Sequence, residues 1–92
     1  MPDSITIEHG ASGFIVHVDG TQVGQLLYRE RGDVVEAYST YVQPEARRHG
    51  VALRLVQALV DWAREEERTI EPTCWYVAKV MKADPGMAAL LA

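Results

Sequence analysis

Residues 43–52, Gln-Pro-Glu-Ala-Arg-Arg-His-Gly-Val-Ala, hold the residue types that could bind an anion. Extended, β-type sequence ends there and an amphipathic helix begins. Backbone N–H groups at a helix start lack intrahelical partners and carry partial positive charge, so a phosphate can rest on them. Gly50 has no Cβ and lets the backbone approach a ligand closely. Arg47, Arg48 and His49 add charge-assisted donors, each worth roughly 1.5–3 kcal/mol when well placed. A second reading stays open on residue types alone: Pro44 to Gly50 is then only a polar strand-to-helix connection.

The chain must supply elements that hold this stretch in place. Its 92 residues suffice for one small domain, 1–92, with a modest core. Hydrophobic residues make up 48%, which fits a globular chain and not a disordered one. The formal net charge of −4 argues against general nucleic-acid affinity and makes Arg47-Arg48-His49 a local exception. A single cysteine excludes an internal disulfide framework and suits a reducing compartment. No stretch is long and apolar enough to span a membrane, and the N-terminus lacks a basic, then apolar, leader pattern. A cytoplasmic location is the expectation.

Ile5 and Ile7 alternate with polar residues in a first strand, and Gly10 to Gly13 is a turn. Phe14, Val16 and Val18 share one face of a second strand. Asp19-Gly20 is a two-residue hairpin signal. A third strand runs from about Val23 to Arg29, and a fourth from about Val34 to Val42. Short connections make these four an antiparallel meander. The period then changes. Ala52, Leu55, Val56, Leu59, Val60 and Ala63 fall at helical spacing, and the helix ends in the solvated run Glu65-Glu66-Glu67-Arg68. Thr69 to Thr73 suits a fifth strand, parallel to its partner after a right-handed crossover. Cys74 to Lys82 is helical, and Asp84-Pro85 starts a last short helix as N-cap and first helical residue.

Arg47-x-x-Gly50-x-Ala52 fits the Q/R-x-x-G-x-G/A acetyl-CoA signature, and the chain resembles the GNAT N-acetyltransferase superfamily. Thr40-x-Val42 before the loop and Pro72-x-Cys74-x-Tyr76-Val77 after the helix are similar to its compact, single-domain branch. The likeness spans roughly residues 14–82. It implies an α+β (α/β) acyl-CoA N-acyltransferase fold, a mixed and mostly antiparallel sheet of about five strands in the order β-β-β-β-α-β-α-α. It further implies acetyl-CoA as cosubstrate, bound where the fourth and fifth strands splay. Carried over, Arg47, Arg48, His49, Gly50, Val51 and Ala52 cradle the pyrophosphate, while Thr40, Tyr41 and Val42 meet the pantetheine arm through backbone groups. Many relatives have glycine where Arg48 stands, which makes the loop stiffer here.

Acetyl transfer needs a deprotonated amine, a polarised thioester carbonyl and a stabilised leaving thiolate. A backbone N–H near Tyr41 or Val42 could serve the oxyanion. Tyr76 is the candidate general acid, with simple core packing as its other reading. Three roles are open to Cys74: inert core residue, lining of the acetyl pocket, or transient acetyl acceptor. Lining is the favoured one. Trp75 is read as a packing residue, and His9 and His17 as ordinary strand residues. Glu36 and Tyr38 could reach the acceptor side, but Ser39 stands where compact relatives often have histidine, so no general base is assigned. No ligand spacing suggests a metal. The short turn after the first strand and the stop soon after Leu91 leave out elements with which larger relatives build the acceptor pocket. The acceptor amine is therefore open: protein, peptide or small molecule.

Two other classes compete. An acyl-CoA-binding or interaction module with little catalysis would share the coenzyme loop. A helix-turn-helix nucleic-acid binder could use Arg47, Arg48 and Arg54, but net acidity and the preceding strands oppose it.

Overall fold

The computed structural model describes residues 4–92, apart from the side chain of Arg48. Four strands form the meander: β1 Ile5–His9, β2 Gly13–Val18, β3 Thr21–Arg31 and β4 Val34–Val42. Helix α1, Val51–Glu65, crosses over to β5, Thr69–Pro72, which pairs parallel with β4. Helices α2, Trp75–Ala83, and α3, Pro85–Ala88, follow. The sheet order is β1-β2-β3-β4-β5, as the short connections and the single crossover require. β3 is longer than its sequence pattern suggested. Asp19 and Gly20 both take positive φ, 51° and 84°, which matches the twist of a two-residue hairpin. Pairing therefore begins at once, with Val18 opposite Thr21.

Alternation puts Phe14, Val16, Leu26, Tyr28, Val35 and Ala37 on one face of the sheet. The buried stripe of α1, namely Val51, Leu55, Val56, Leu59, Val60 and Ala63, packs on that face. Val77 and Met81 of α2 join the same core. Ala52, expected in the stripe, is half-buried, and Val51 takes the inward place. The opposite face carries Ile15, Gln25, Leu27, Ser39 and Tyr41, none of which belongs to the core. The helices therefore pack on one side only.

Three local features shape the region beyond β4. A bulge interrupts the β3–β4 ladder: Tyr28 faces Ala37, but Leu27 faces Ser39, so Tyr38 is the extra residue. An extra residue reverses which side chains point inward. Before it Val35 and Ala37 face the helices; after it Val42 is buried, and Thr40 shares that face. Second, β4 and β5 pair only from Val34↔Thr69 to Ala37↔Pro72. The N–H of Cys74 donates to the carbonyl of Ala37 at 3.0 Å and closes the pairing, after which the two strands part. Third, the segment read as an open loop is a 3₁₀ helix, Pro44–His49, anchored by buried Ala46. A proline at its first turn and a glycine at its end suit such a short helix.

The outer edge of β5 is covered by the C-terminal residues. Ile70 N–H donates to Leu90 O at 2.8 Å, and Ala92 N–H to Ile70 O at 2.8 Å. Asp84 caps α3 as expected, accepting from the N–H of Gly86 at 2.8 Å and of Met87 at 3.3 Å.

Candidate active site

Where β4 and β5 part, a cleft of about 430 Å³ opens. Thr40, Tyr41, Val42, Arg47, Ala52, Trp75 and Tyr76 line it. They come from the end of β4 that β5 no longer pairs, the 3₁₀ helix, the first turn of α1 and the first turn of α2. The backbone of β4 is turned to suit. Gln43 N–H donates to Val23 O at 2.8 Å, so the preceding carbonyl, of Val42, points away from β3. Arg47 Nε donates to that carbonyl at 3.0 Å. In an extended strand a residue's N–H and C=O share a side, so the N–H groups of Thr40 and Val42 also face the cleft. The N–H of Tyr41 faces β3 instead. Of the two backbone donors expected for an oxyanion, only that of Val42 has the right direction.

Gly50 joins the 3₁₀ helix to α1 in the left-handed conformation, with φ 69° and ψ 21°. Glycine fits there because a side chain would be strained. A Cβ built at Gly50 would meet no atom within 4 Å, so the space beside the junction is open. Glycine offers no capping side chain, and the first turn of α1 contains no acidic residue. The N–H of Gly50 itself is engaged by Arg47 O at 3.3 Å. The donors directed outward are therefore those of Val51, Ala52 and Leu53. Val51 is fully buried and can contribute only its backbone. His49 is exposed at the end of the 3₁₀ helix and does not line the cleft. The expected role of the Arg48 side chain lies outside the described residues.

Cys74 is the N-cap of α2 and lies buried behind Thr40. Its thiol donates to Thr40 Oγ1 at 3.5 Å. Burial opposes charge on the sulfur, but donors from Thr40, Val77 and Tyr76 outweigh it and hold the thiol pKa below its usual value. A cysteine at a helix N-cap gains from the same N–H groups that hold an anion. Tyr76 is half-buried against the core, and burial pushes its phenol pKa up. It is thus protonated at neutral pH.

Trp75, read from sequence as a packing residue, is 73% exposed and stands at the cleft with its ring edge-on to Tyr76, centroids 5.9 Å apart. Its position at the first residue of α2 turns it outward, which the apolar character of the residue concealed. Glu36 and Tyr38 do not line the cleft. Glu36 accepts from Thr73 Oγ1 at 3.0 Å and lies 3.8 Å from Arg31, while the Arg29 guanidinium covers the Tyr38 ring at 4.2 Å. His9, a strand residue as expected, packs in an aromatic group. It stacks on Phe14 at 4.2 Å, shares a 2.6 Å hydrogen bond with the Tyr28 hydroxyl and meets Trp62 edge-on. Among the described residues, no group of three or more His, Cys, Asp or Glu could hold a metal, and no helix is long and apolar enough to cross a membrane.

The sequence profile of the GCN5-related N-acetyl-transferase family matches residues 13–90. Protein NATD1 of Xenopus tropicalis is 34% identical over 86 residues, covering 89% of this chain and 79% of that protein. Protein NATD1 of Homo sapiens is 36% identical over 61 residues, covering 65% and 54%. In fold, the chain is similar to the solution structure of a GCN5-like protein from Staphylococcus aureus, with a TM-score of 0.77, 20% identity, and coverage of 95% and 87%. The parted strands, the glycine junction and these likenesses agree: the chain belongs to the GCN5-related N-acetyltransferase family.

Proposed function

We propose that this protein is an acetyl-CoA-dependent N-acetyltransferase acting on an amine. The observation that carries the reading is the cleft at the β4–β5 parting. It gathers six residues that the sequence singled out for coenzyme or catalysis: Thr40, Tyr41, Val42, Arg47, Ala52 and Tyr76. The residues fit the coenzyme. The outward N–H groups of Val51, Ala52 and Leu53, with no acidic residue nearby in the turn, suit a pyrophosphate. Arg47, with Nε held by Val42, keeps its terminal nitrogens for the same anion. Thr40 offers backbone groups along the strand edge to an amide-containing arm, while Val42 O is engaged by Arg47 and its N–H serves the thioester.

When bound, acetyl-CoA supplies the thioester that the amine nitrogen attacks. The new C–N bond forms as the C–S bond breaks; the amine loses a proton and the leaving thiolate takes one. Val42 N–H is directed to hold the carbonyl oxygen. Tyr76, kept protonated by burial, serves as the proton donor to sulfur. Cys74 is not among the residues that line the cleft, so the lining role expected of it is not met; it touches the site only through Thr40.

A second reading is a coenzyme-binding module with little catalysis. One observation favours it: among the described residues, no carboxylate or imidazole lines the cleft to take the amine proton.

Calorimetric titration with acetyl-CoA, using Gly50→Glu and Gly50→Ala, tests the coenzyme site. Both variants carry the same backbone strain, but only glutamate puts a negative charge beside the phosphates. Binding kept in Gly50→Ala and lost in Gly50→Glu is expected. Equal affinity in all three proteins would remove the cradle. Turnover with a panel of amines then separates enzyme from module.

A further inference from the structure

Four large hydrophobic side chains are exposed among the described residues: Tyr38, Tyr41, Leu53 and Trp75. Tyr38 lies under Arg29. The two most exposed, Trp75 at 73% and Tyr41 at 52%, border the same cleft. Exposed apolar surface at the mouth of a cavity marks a binding site more often than exposed surface elsewhere. The two rings come from different elements, β4 and α2, and so form separate walls.

The register adds a direction. Tyr41 pairs with Gln25, and Gln25 with Ile15, so its side chain lies on the helix-free face. Thr40 and Val42 lie on the helix side. The cleft is lined by residues of both faces, at the place where β4 and β5 part. Arg47 and Ala52 stand at its helix-side end. Tyr41 stands at the other end, away from the phosphate cradle.

Charge narrows the class of ligand. Among the described lining residues Arg47 is the sole charged group, and there is no carboxylate. A polyamine would bring two or more ammonium groups with nothing to pair them. A single ammonium on a planar body suits the site: ring faces attract a cation, and ring pairs stack or meet edge-on.

Resting on the acetyl-transfer reading above, we propose that Tyr41 and Trp75 are the acceptor-side walls and that the acceptor is an arylalkylamine, a primary amine carried on an aromatic ring. It enters from the helix-free face, opposite the coenzyme phosphates.

The test measures acetyl transfer to phenethylamine and to spermidine, with calorimetric binding of each amine to the CoA-saturated protein as a second readout. Acetyl-CoA affinity is measured separately for wild type, Trp75→Ala and Tyr41→Ala. Both side chains are exposed, and each variant keeps its backbone. The expected result is preference for phenethylamine, weakened about tenfold or more in each variant, with the acetyl-CoA affinity of Trp75→Ala, which has no coenzyme role, changed less than about twofold. Equal use of both amines, or variants that bind phenethylamine as wild type does, overturns the proposal while leaving the coenzyme reading standing. Absence of acetyl-CoA binding in wild type overturns the reading on which it rests.

Discussion

The thiol of Cys74 lies 3.5 Å from Oγ1 of Thr40, across the point where β4 and β5 part. The contact exists because the Tyr38 bulge turns Thr40 to the helix side. Burial works against the thiolate, yet the Thr40 hydroxyl, which can turn to donate once the sulfur is ionised, and the nearby N–H groups of Val77 and Tyr76 lower the pKa. A lowered folded pKa adds stability that is complete above the unfolded thiol's pKa and is lost as pH falls through the folded one. Reaction with iodoacetamide should therefore show a midpoint below that of a free cysteine, about 8.5. Thr40→Val should move that midpoint up. A wild-type midpoint at or above the free value would sink this account.

Arg47 has two tasks in the proposed site: its Nε holds the end of β4 through Val42 O, and its terminal nitrogens meet phosphate. Lysine can supply charge but not both contacts at once. Arg47→Lys should weaken acetyl-CoA binding by about tenfold, the loss of roughly one charge-assisted hydrogen bond. Arg47→Ala should weaken it further, and added salt should narrow the gap between the variants. Lysine binding as tightly as arginine in a calorimetric titration would mean that the strand contact is irrelevant to the coenzyme.

Much of this was legible in the chain. Asp19-Gly20, the switch of period at Val51 and the Asp84-Pro85 pair each signal their element by local chemistry, and each element formed. The outline of the candidate site was legible for the same reason, since spacing sets Arg47, Gly50 and Ala52 around the junction of the 3₁₀ helix and α1. What escaped was tertiary. The bulge at Tyr38 is set by pairing with β3, and no turn residue marks it. Trp75 reads as core by type, and only the angle at which α2 leaves Cys74 turns it outward. The aromatic group around His9 joins β1, β2, β3 and α1, which no local pattern connects.

Tyr76 is the proposed acid because burial raises its phenol pKa while its ring still borders the cleft. Tyr76→Phe keeps the ring and removes the proton. Turnover should fall by about a hundredfold, with acetyl-CoA affinity within about threefold of wild type, since the loss is confined to the transition state. The wild-type turnover should also decline at high pH as the phenol ionises, at or above the ordinary tyrosine range, and the variant should lack that limb. Matching turnover in the two proteins would retire the role.

The end of α1 offers a test of the fold that is independent of the site. Glu67 N–H donates to Arg64 O at 3.2 Å and Arg68 N–H to Ala63 O at 2.8 Å, the paired bonds of a Schellman motif. That motif needs a left-handed residue at Glu67, and its φ is 56°. A glutamate there carries strain of about 1 kcal/mol from its Cβ and a carboxylate that opposes the helix dipole. Glu67→Gly removes both and should raise Tm by about 4–8 °C. Glu67→Ala removes the charge but keeps the Cβ, so it should gain only the smaller electrostatic part, about 0.3 kcal/mol. Thermal unfolding of the two variants separates the causes. If alanine stabilises as much as glycine, charge accounts for the effect and the strain at Glu67 is negligible.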